Sequence, residues 1–245
     1  MLYNREEIES ETPGLEDWQR DAFVRFSGKL SSGTDLFPCI PATIGHKLHH
    51  FRYAFFNDPK QEGTLIKTAA ALKQYGRLSR DFGPYTSLIC FFNTDYPHYE
   101  TEDYRTLFWD ALQQLNRLDG AEWPEHIPKD PEHHLWEYCF EGEQYFMYCG
   151  TPAHQRRQTR HSPYFIWAIT PRWVLDRFNE AEERARKMKE SIRERIQKYD
   201  SISIHPDLNS YGSDENFEWK QYFLSDDQQP AGKCPFAHLH PAKKE

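Results

Sequence analysis

The chain has 245 residues and a formal net charge of −8, with 38% hydrophobic and 16% aromatic residues. This length allows one large domain or two small ones. The negative charge argues against a general binder of nucleic acid or anionic membranes. It suits a neutral or cationic small substrate, and it equally suits an ordinary charged surface that keeps the protein in solution.

The N-terminal residues contain no apolar stretch of the kind found in secretory signals, and no apolar run approaches membrane-spanning length. The cysteines are few, odd in number and without zinc-type pairing; they lie at positions 39, 90, 139, 149 and 234. Such usage is typical of proteins whose thiols stay reduced. We therefore expect a cytoplasmic protein with neither a nucleic-acid nor a membrane partner.

The first half of the chain alternates helical and strand-like patterns. Apolar residues at helical spacing predict helices over 16–30, 62–76 and 101–118. Short apolar runs bounded by turn residues predict strands over 51–56 and 86–93. After the first helix, Pro38 and Pro41 argue against a regular helix over LFPCIPA, residues 36–42.

The second half predicts a β-hairpin around Glu141 and Gly142, a strand over 164–170, and one long helix from Pro171 to about Asp200. Segments 1–14 and 225–245 are predicted to be irregular. Because strands and helices mix without strict alternation, we expect a single α+β domain over 1–245, with a mixed or antiparallel sheet packed with several helices.

No motif for common enzyme chemistry is present. The sequence has no Gly-rich phosphate loop, no G-x-S-x-G nucleophile elbow and no H-E-x-x-H zinc motif. It also lacks a recognisable flavin or nicotinamide module, so redox chemistry would require electrons from an external donor.

The most unusual stretch is GTPAHQRRQTRHSPYFIWAIT, residues 150–170. His154 has the chemistry of an axial ligand for haem iron, and arginines 156, 157 and 160 can pair with haem propionates. The strand behind them, with Phe165, Ile166 and Trp167, could form an apolar wall for a porphyrin. An exposed basic loop is the plainer interpretation of the same residues.

Two cysteines are further candidates for metal binding. Cys39 stands between prolines in FPCIP, where a rigid loop could present a thiolate, although a small buried side chain is the simpler alternative. Cys234 precedes Pro235 and is followed by His238 and His240, a pattern compatible with haem contact or zinc, at a chain end that often frays.

Two polar clusters complete the set. His46, His49 and His50 could share a helix face, but a surface or half-buried histidine cluster is the simpler interpretation. In NFEWKQYFLSDD, three acids could meet a cation, or could simply be solvated beside a packed aromatic edge; they are Glu218, Asp226 and Asp227.

Several stretches, in order over residues 37–236, resemble the YqcI/YcgG family. They include FPC, LFWDALQQLNRLDGAEWP, HLWEYCFEGEQYF, TPAHQRRQTRHS, IRERIQKYDSISIHPDL and the closing CPF. Members of that family include haem-dependent N-hydroxylases that act on arginine or guanidine. The resemblance implies a monooxygenase with haem b, O2, an external reductase or ferredoxin-like electron donor, and a small cationic or amino-acid-like substrate.

The resemblance also ranks the candidate residues. It makes His154 the first choice for the iron ligand, with Cys39 and Cys234 as runners-up, and makes Arg157 and Arg160 candidate propionate partners. A thiolate ligand would favour O–O cleavage, whereas a histidine would need help from distal donors.

A guanidinium substrate would require carboxylates, and those inside the family-like stretches are Glu137, Glu143 and Glu218. For Glu137, an internal ion pair with an arginine is an equal alternative. Two other classes stay open: a haem-binding sensor or carrier without turnover, and a structural module whose histidines are incidental.

Overall fold

The computed structural model describes residues 1–10, 14–209 and 216–238. Within these ranges the helices are α1 (Arg5–Glu9), α2 (Asp17–Ser31), α3 (Ile40–Lys47), α4 (Thr64–Leu78), α5 (Thr101–Arg117), α6 (Arg172–Asn179), α7 (Glu182–Tyr199) and α8 (Trp219–Tyr222). The strands are β1 (Arg52–Phe56), β2 (Leu88–Phe92), β3 (Tyr138–Phe140), β4 (Glu143–Gly150) and β5 (Phe165–Pro171). Short 3₁₀ helices cover Ser79–Asp81 and Pro235–His238.

The strands form one mixed sheet in the order β1-β2-β5-β4-β3. β1 and β2 are parallel, and their connection runs through α4, as a parallel pair requires a crossover. The other pairs are antiparallel. β3 and β4 meet through Glu141 and Gly142, which both have positive φ (50° and 77°), the conformation that a tight two-residue hairpin turn needs.

Side chains alternate between the two faces of the sheet, and each face builds its own core. Phe92 on β2 and Trp167 on β5 belong to the larger core, which also receives α4, α5 and the C-terminal segment 216–236. Ile89, Phe91 and Ile166 belong to the smaller core on the other face, together with α2. We call these the first face and the second face.

The predicted α+β class and mixed sheet are confirmed. The predicted helices and strands up to residue 170 all form, within a few residues of their expected ends. Although Pro41 lies inside α3, it occupies the first turn, where a helix has no use for its backbone N–H. The expectation of no regular helix over 36–42 is therefore wrong from Ile40 onward.

Three other expectations also need correction. The helix from Pro171 to Asp200 is two helices, because Ala181 leaves the helical region (φ −94°, ψ 77°). The N-terminal segment contains α1, closed by a reciprocal cap between Asn4 and Glu7. The C-terminal segment predicted to be irregular, 225–245, contains a 3₁₀ turn at Pro235–His238. The helix α8, just before it, was not predicted. No helix of the ranges described above is long and apolar enough to cross a membrane.

Candidate functional site

The loop that joins β4 to β5, residues 151–161, is where the sequence predicted a haem ligand or an exposed basic surface. We call it the basic loop. Its Thr151 and His161 pair at the base, and His154, Arg157 and Arg160 are each at most 4% exposed. The loop is therefore folded into the protein, and the expectation of an exposed basic surface is wrong for these three residues.

His154 is occupied at both ring nitrogens. Nδ1 lies 2.8 Å from Oγ1 of Thr151, and Nε2 lies 2.9 Å from the carbonyl oxygen of Leu224. Because that carbonyl can only accept, Nε2 carries the proton and Nδ1 accepts from the hydroxyl. Burial lowers the pKa of His154 to about 4. This neutral imidazole has no nitrogen to spare for iron, so its selection as the first-choice ligand is not supported by the geometry.

Arg157 and Arg160 bind backbone carbonyls instead of a cofactor. Arg157 donates to the carbonyl oxygens of Ser203, Ser225 and Asp227 at 2.5–3.1 Å. Arg160 donates to those of Cys149, Gln221 and Tyr222 at 2.8–3.3 Å. A guanidinium satisfied in this way is not available to haem propionates, so the predicted role is corrected to one of tying the C-terminal segment to the sheet.

Asp226 completes the same junction from the other side. Its carboxylate accepts the backbone N–H groups of Gln155, Arg156 and Arg157 at 2.7–3.0 Å. Asp227 accepts from the Ser225 hydroxyl and the Gln229 backbone. Both acids are therefore used by the chain itself, and the expectation that they meet a cation has no support here.

Glu137 and Glu218 converge on Arg172, the first residue of α6. Nε of Arg172 donates to Glu137 at 2.8 Å, and its Nη2 donates to Glu218. All three are nearly excluded from solvent. Burial, together with the Glu137 charge, raises the pKa of Glu218 to about 8 against the opposing effect of Arg172. The internal ion pair that was the alternative for Glu137 is formed, and Glu218 shares it, so the predicted contact of these glutamates with a substrate cation finds no support in this geometry.

Glu143 is the third predicted acid, and it lies on the surface end of β4. It forms an ion pair with Arg80 at 2.8 Å. Tyr145, two residues further along β4, pairs with Pro171, the residue before Arg172, so Glu143 lies near the end of β5 that carries Arg172. Its ion-pair partner Arg80 also lies 5.5 Å from the ring of Trp173. Each of the three predicted acids therefore has an arginine of this chain as its partner.

The remaining predicted ligands are dispersed. Cys234 is 1% exposed in the core of the first face, beside Phe236. His46 is buried in α3 and bonds to the hydroxyls of Ser27 and Tyr53, whereas His49 lies beyond the helix end with φ 60° and meets Glu6. The histidines therefore do not share one helix face. His240 lies outside the described residues, and among those described no group of three or more His, Cys, Asp or Glu could hold a metal ion.

A different place in the fold has the features of a ligand site. A cavity of about 190 Å³ lies on the second face, between the sheet and the helices α2, α3 and α6. Its walls are mostly apolar, with Phe26, Leu30, Phe37, Phe51, Ile166 and Val174 among them. We call it the sheet cavity. Of the predicted porphyrin wall, only Ile166 lies here, because strand alternation sends Phe165 and Trp167 to the first face.

The charged groups of the sheet cavity share one sign. They are Arg25 and Lys29, and no Asp or Glu appears among its described lining residues. Asp21, which is not in the lining, forms an ion pair with Arg25 at 2.7 Å. Lys29 donates to the backbone carbonyls of Gln158 and His161 at 2.7 and 2.6 Å, which binds α2 to the basic loop. Burial lowers the pKa of Lys29 to about 8. Such a lining favours a ligand with an apolar body and an anionic edge.

Cys39 is the one predicted ligand that lines the sheet cavity. It precedes α3, and its position there follows from Pro38 and Pro41, which fix the chain on either side. The residue as a whole is exposed, yet desolvation of the thiol raises its pKa. Cys39 therefore supplies a sulfur donor to the cavity in its protonated form.

His161 also lines the sheet cavity, and our sequence analysis did not single it out. Its Nδ1 lies 2.8 Å from the carbonyl oxygen of His154. The sequence contained a signal for it, since His161 stands in the same quoted stretch as His154. The sequence could not show which of the two histidine rings forms internal hydrogen bonds through both nitrogens.

The donor set of the sheet cavity fits haem in its chemistry: apolar walls, a cationic lining, a sulfur and an imidazole. Its volume is below the roughly 300–1,000 Å³ of typical ligand pockets. A group of haem size therefore requires side chains at the edge of the cavity to move outward. The cations of the sheet cavity have internal partners too, since Arg25 pairs with Asp21 and Lys29 donates to carbonyls of the basic loop. The basic loop and the Arg172 cluster fit less well, because their charged groups are buried as well as paired.

The sequence model of the YqcI/YcgG family matches residues 26–237, which is most of the chain. The chain belongs to the YqcI/YcgG family. The match spans both faces of the sheet, the sheet cavity and the C-terminal segment that covers the basic loop.

Relatives in this family align along nearly the whole chain. The chain is 43% identical to the uncharacterized protein YcgG and 41% identical to the uncharacterized protein YqcI, both of Bacillus subtilis, each over 97% of this chain and 95% of the relative. It is 32% identical to the putative N(omega)-hydroxy-L-arginine synthase DcsA of Streptomyces lavendulae, over 95% of this chain and 90% of that protein. No solved structure matches.

Proposed function

We propose that this protein is a haem-dependent monooxygenase that N-hydroxylates a guanidino or amino group of a small amino-acid-like substrate, with haem b bound in the sheet cavity. The observation that carries the proposal is the lining of that cavity, which combines apolar walls, cations, Cys39 and His161. The name of the DcsA relative supplies the reaction class. Bound haem would supply oxygen activation.

The balance of the reaction defines what else is required. One oxygen atom of O2 enters an N–H bond of the substrate, and the other leaves as water. Two electrons and two protons complete the reaction, and an external reductase or ferredoxin-like donor supplies the electrons. The residues of this chain hold the cofactor, exclude water from it and orient the substrate nitrogen.

The second face is built for holding such a group. Arg25, which is exposed and paired with Asp21, is the cation that would exchange its partner for a propionate, whereas Lys29 is held by backbone carbonyls of the basic loop. Cys39 and His161 are the lining's donors for iron. Because the described lining has no carboxylate, we assign the sheet cavity to the cofactor rather than to the substrate cation.

A cavity-filling variant tests the location. Ala168 on β5 lines the sheet cavity and is half-buried, so Ala168→Leu occupies cavity space without cutting a hydrogen bond. Hemin added to the wild-type protein should give a strong Soret band, and Ala168→Leu should weaken hemin binding by about tenfold or more. Ala70→Leu, on an exposed position of α4, adds the same side chain elsewhere and should leave binding unchanged.

Activity is tested on the hemin-loaded protein with L-arginine, O2 and a chemical or enzymatic electron donor. The expected result is substrate-dependent O2 consumption and a product heavier than L-arginine by one oxygen atom. A Soret band without turnover on a panel of guanidino and amino compounds would instead leave a haem-binding sensor or carrier. No Soret band after hemin addition would remove the proposal.

A further inference from the structure

We propose that His161, through Nε2, is the nitrogen ligand of the group that occupies the sheet cavity, and that His154 serves only to orient it. This inference rests on the proposed function, since it takes the occupant to be an iron porphyrin. It assigns the ligand to a residue on the opposite side of the basic loop from the one favoured by the sequence.

The hydrogen bond at Nδ1 decides the state of the ring. The carbonyl oxygen of His154, 2.8 Å away, can only accept, so Nδ1 of His161 must donate and carry the proton. In the neutral ring the lone pair then lies on Nε2. Metal-binding histidines are commonly held in this manner, with the other ring N–H donated to a carbonyl or carboxylate.

Nε2 is the nitrogen that remains for a ligand. In residues 1–10, 14–209 and 216–238 no hydrogen bond to it is formed, whereas both nitrogens of His154 are engaged. His161 is half-buried and lines the cavity. The tautomer of this imidazole is fixed, one of its nitrogens has no hydrogen bond within the described residues, and the residue lines the sheet cavity. It is therefore a preorganised donor for iron.

The backbone around His161 is fixed on three sides. Its N–H donates to the carbonyl of Arg157, its carbonyl accepts from Lys29, and the residue pairs with Thr151 at the base of the loop. Arg157 is in turn tied to the C-terminal segment. His154 contributes through its backbone carbonyl only, which makes it a positioning residue for the His161 ring.

The test uses the full chain with hemin and compares His161→Gly with His98→Gly, which removes an exposed histidine. The His161→Gly variant is expected to bind hemin at least about tenfold more weakly and to shift the Soret band of the ferric and ferrous–CO forms. Added imidazole should restore the wild-type spectrum. With ¹⁵N-imidazole, pulsed EPR of the ferric form should detect nitrogen bound to the iron. His98→Gly should match the wild type.

The outcomes are separable. A wild-type Soret band that His161→Gly leaves unchanged, with no effect of imidazole, overturns this inference while the proposed function stands. The same result with a changed spectrum in Cys39→Ser, but not in Cys234→Ser, would assign a thiolate ligand instead. If the wild-type protein binds no hemin at all, the proposed function fails and this inference with it.

Folding of the variants is checked by a readout that needs no cofactor. His161→Gln retains an amide N–H for the carbonyl of His154, and circular dichroism should show it folded. In the wild-type apoprotein, long-range ¹H–¹⁵N spectra should show the His161 ring protonated at Nδ1. A ring protonated at Nε2 would contradict the assignment before any hemin is added.

Discussion

The two histidines of the basic loop differ in what their rings contact, and this difference decides their roles. Both ring nitrogens of His154 form hydrogen bonds within the protein, whereas only Nδ1 of His161 does so within the described residues. The sequence placed both in one basic stretch and favoured the first. Residue type and spacing indicate that an imidazole is present. Only the folded structure shows which ring nitrogen has no hydrogen-bond partner within the described residues.

His46 provides a prediction at this scale. Burial lowers its pKa to about 4, compared with about 6.5 for an unfolded chain. Between these two values the unfolded state binds more protons, so stability falls as pH decreases through this window and is fully present above it. Urea unfolding at pH 7 and pH 5 should show a loss about 1–2 kcal/mol larger in the wild type than in His46→Gln. Equal losses in both proteins would contradict the pKa.

At the scale of elements, apolar periodicity predicted most helices and strands well. The strand at 86–93 and the helix at 101–118 formed within a few residues of their expected ends because their apolar patterns match the faces they bury. The break between α6 and α7 was missed, since neither Glu180 nor Ala181 is a helix breaker. The sequence could predict the sheet class, but not that the second face would keep a cavity.

The junction between the basic loop and Asp226 gives a prediction for one element. Asp226→Ala removes the acceptor for three backbone N–H groups, one of them in the buried Arg157. We expect a loss of roughly 2 kcal/mol in the free energy of unfolding, measured by urea denaturation with an unchanged m value. Asp226→Asn keeps one acceptor oxygen and should lose less.

The matched control is Asp227→Ala. Asp227 meets the hydroxyl of Ser225 and the N–H of Gln229 and receives none of the backbone N–H groups of the basic loop. The guanidinium of Arg157 does donate to the backbone carbonyl of Asp227, but alanine keeps that carbonyl, and only the carboxylate is removed. Its replacement should therefore cost clearly less than that of Asp226. Similar losses for both would mean that the cap on the loop contributes little.

For the molecule as a whole, the buried cluster of Arg172, Glu137 and Glu218 joins three distant parts of the chain. Arg172 follows β5, Glu137 precedes β3, and Glu218 precedes α8. The cluster contains two carboxyl groups and one guanidinium. If both carboxyl groups were ionised, one excess negative charge would be buried, unless one of them keeps its proton. The raised pKa of Glu218 is the consequence.

Two substitutions test this cluster. Arg172→Met leaves both carboxyl groups buried without their cation and should destabilise the protein by about 3–5 kcal/mol in chemical denaturation. Glu218→Gln should be milder and should change the pH dependence. Because the native state retains a proton up to about pH 8 that the unfolded chain loses near 4.5, wild-type stability should fall across this window. In Glu218→Gln this fall should be reduced, and a slope equal to that of the wild type would refute the assignment.

The contacts of the basic loop also constrain the order in which the chain can complete itself during synthesis. Arg157 and Arg160 find their carbonyl acceptors at residues 203–227, about fifty to seventy positions later. When β4 and β5 have left the ribosome, Arg160 has its acceptor at Cys149 and His154 has its partner Thr151, but the other partners of both residues, and every acceptor of the Arg157 side chain, are still to be synthesised. Since domains form as their chain emerges, the loop that carries His161 reaches its final shape among the last parts of the fold.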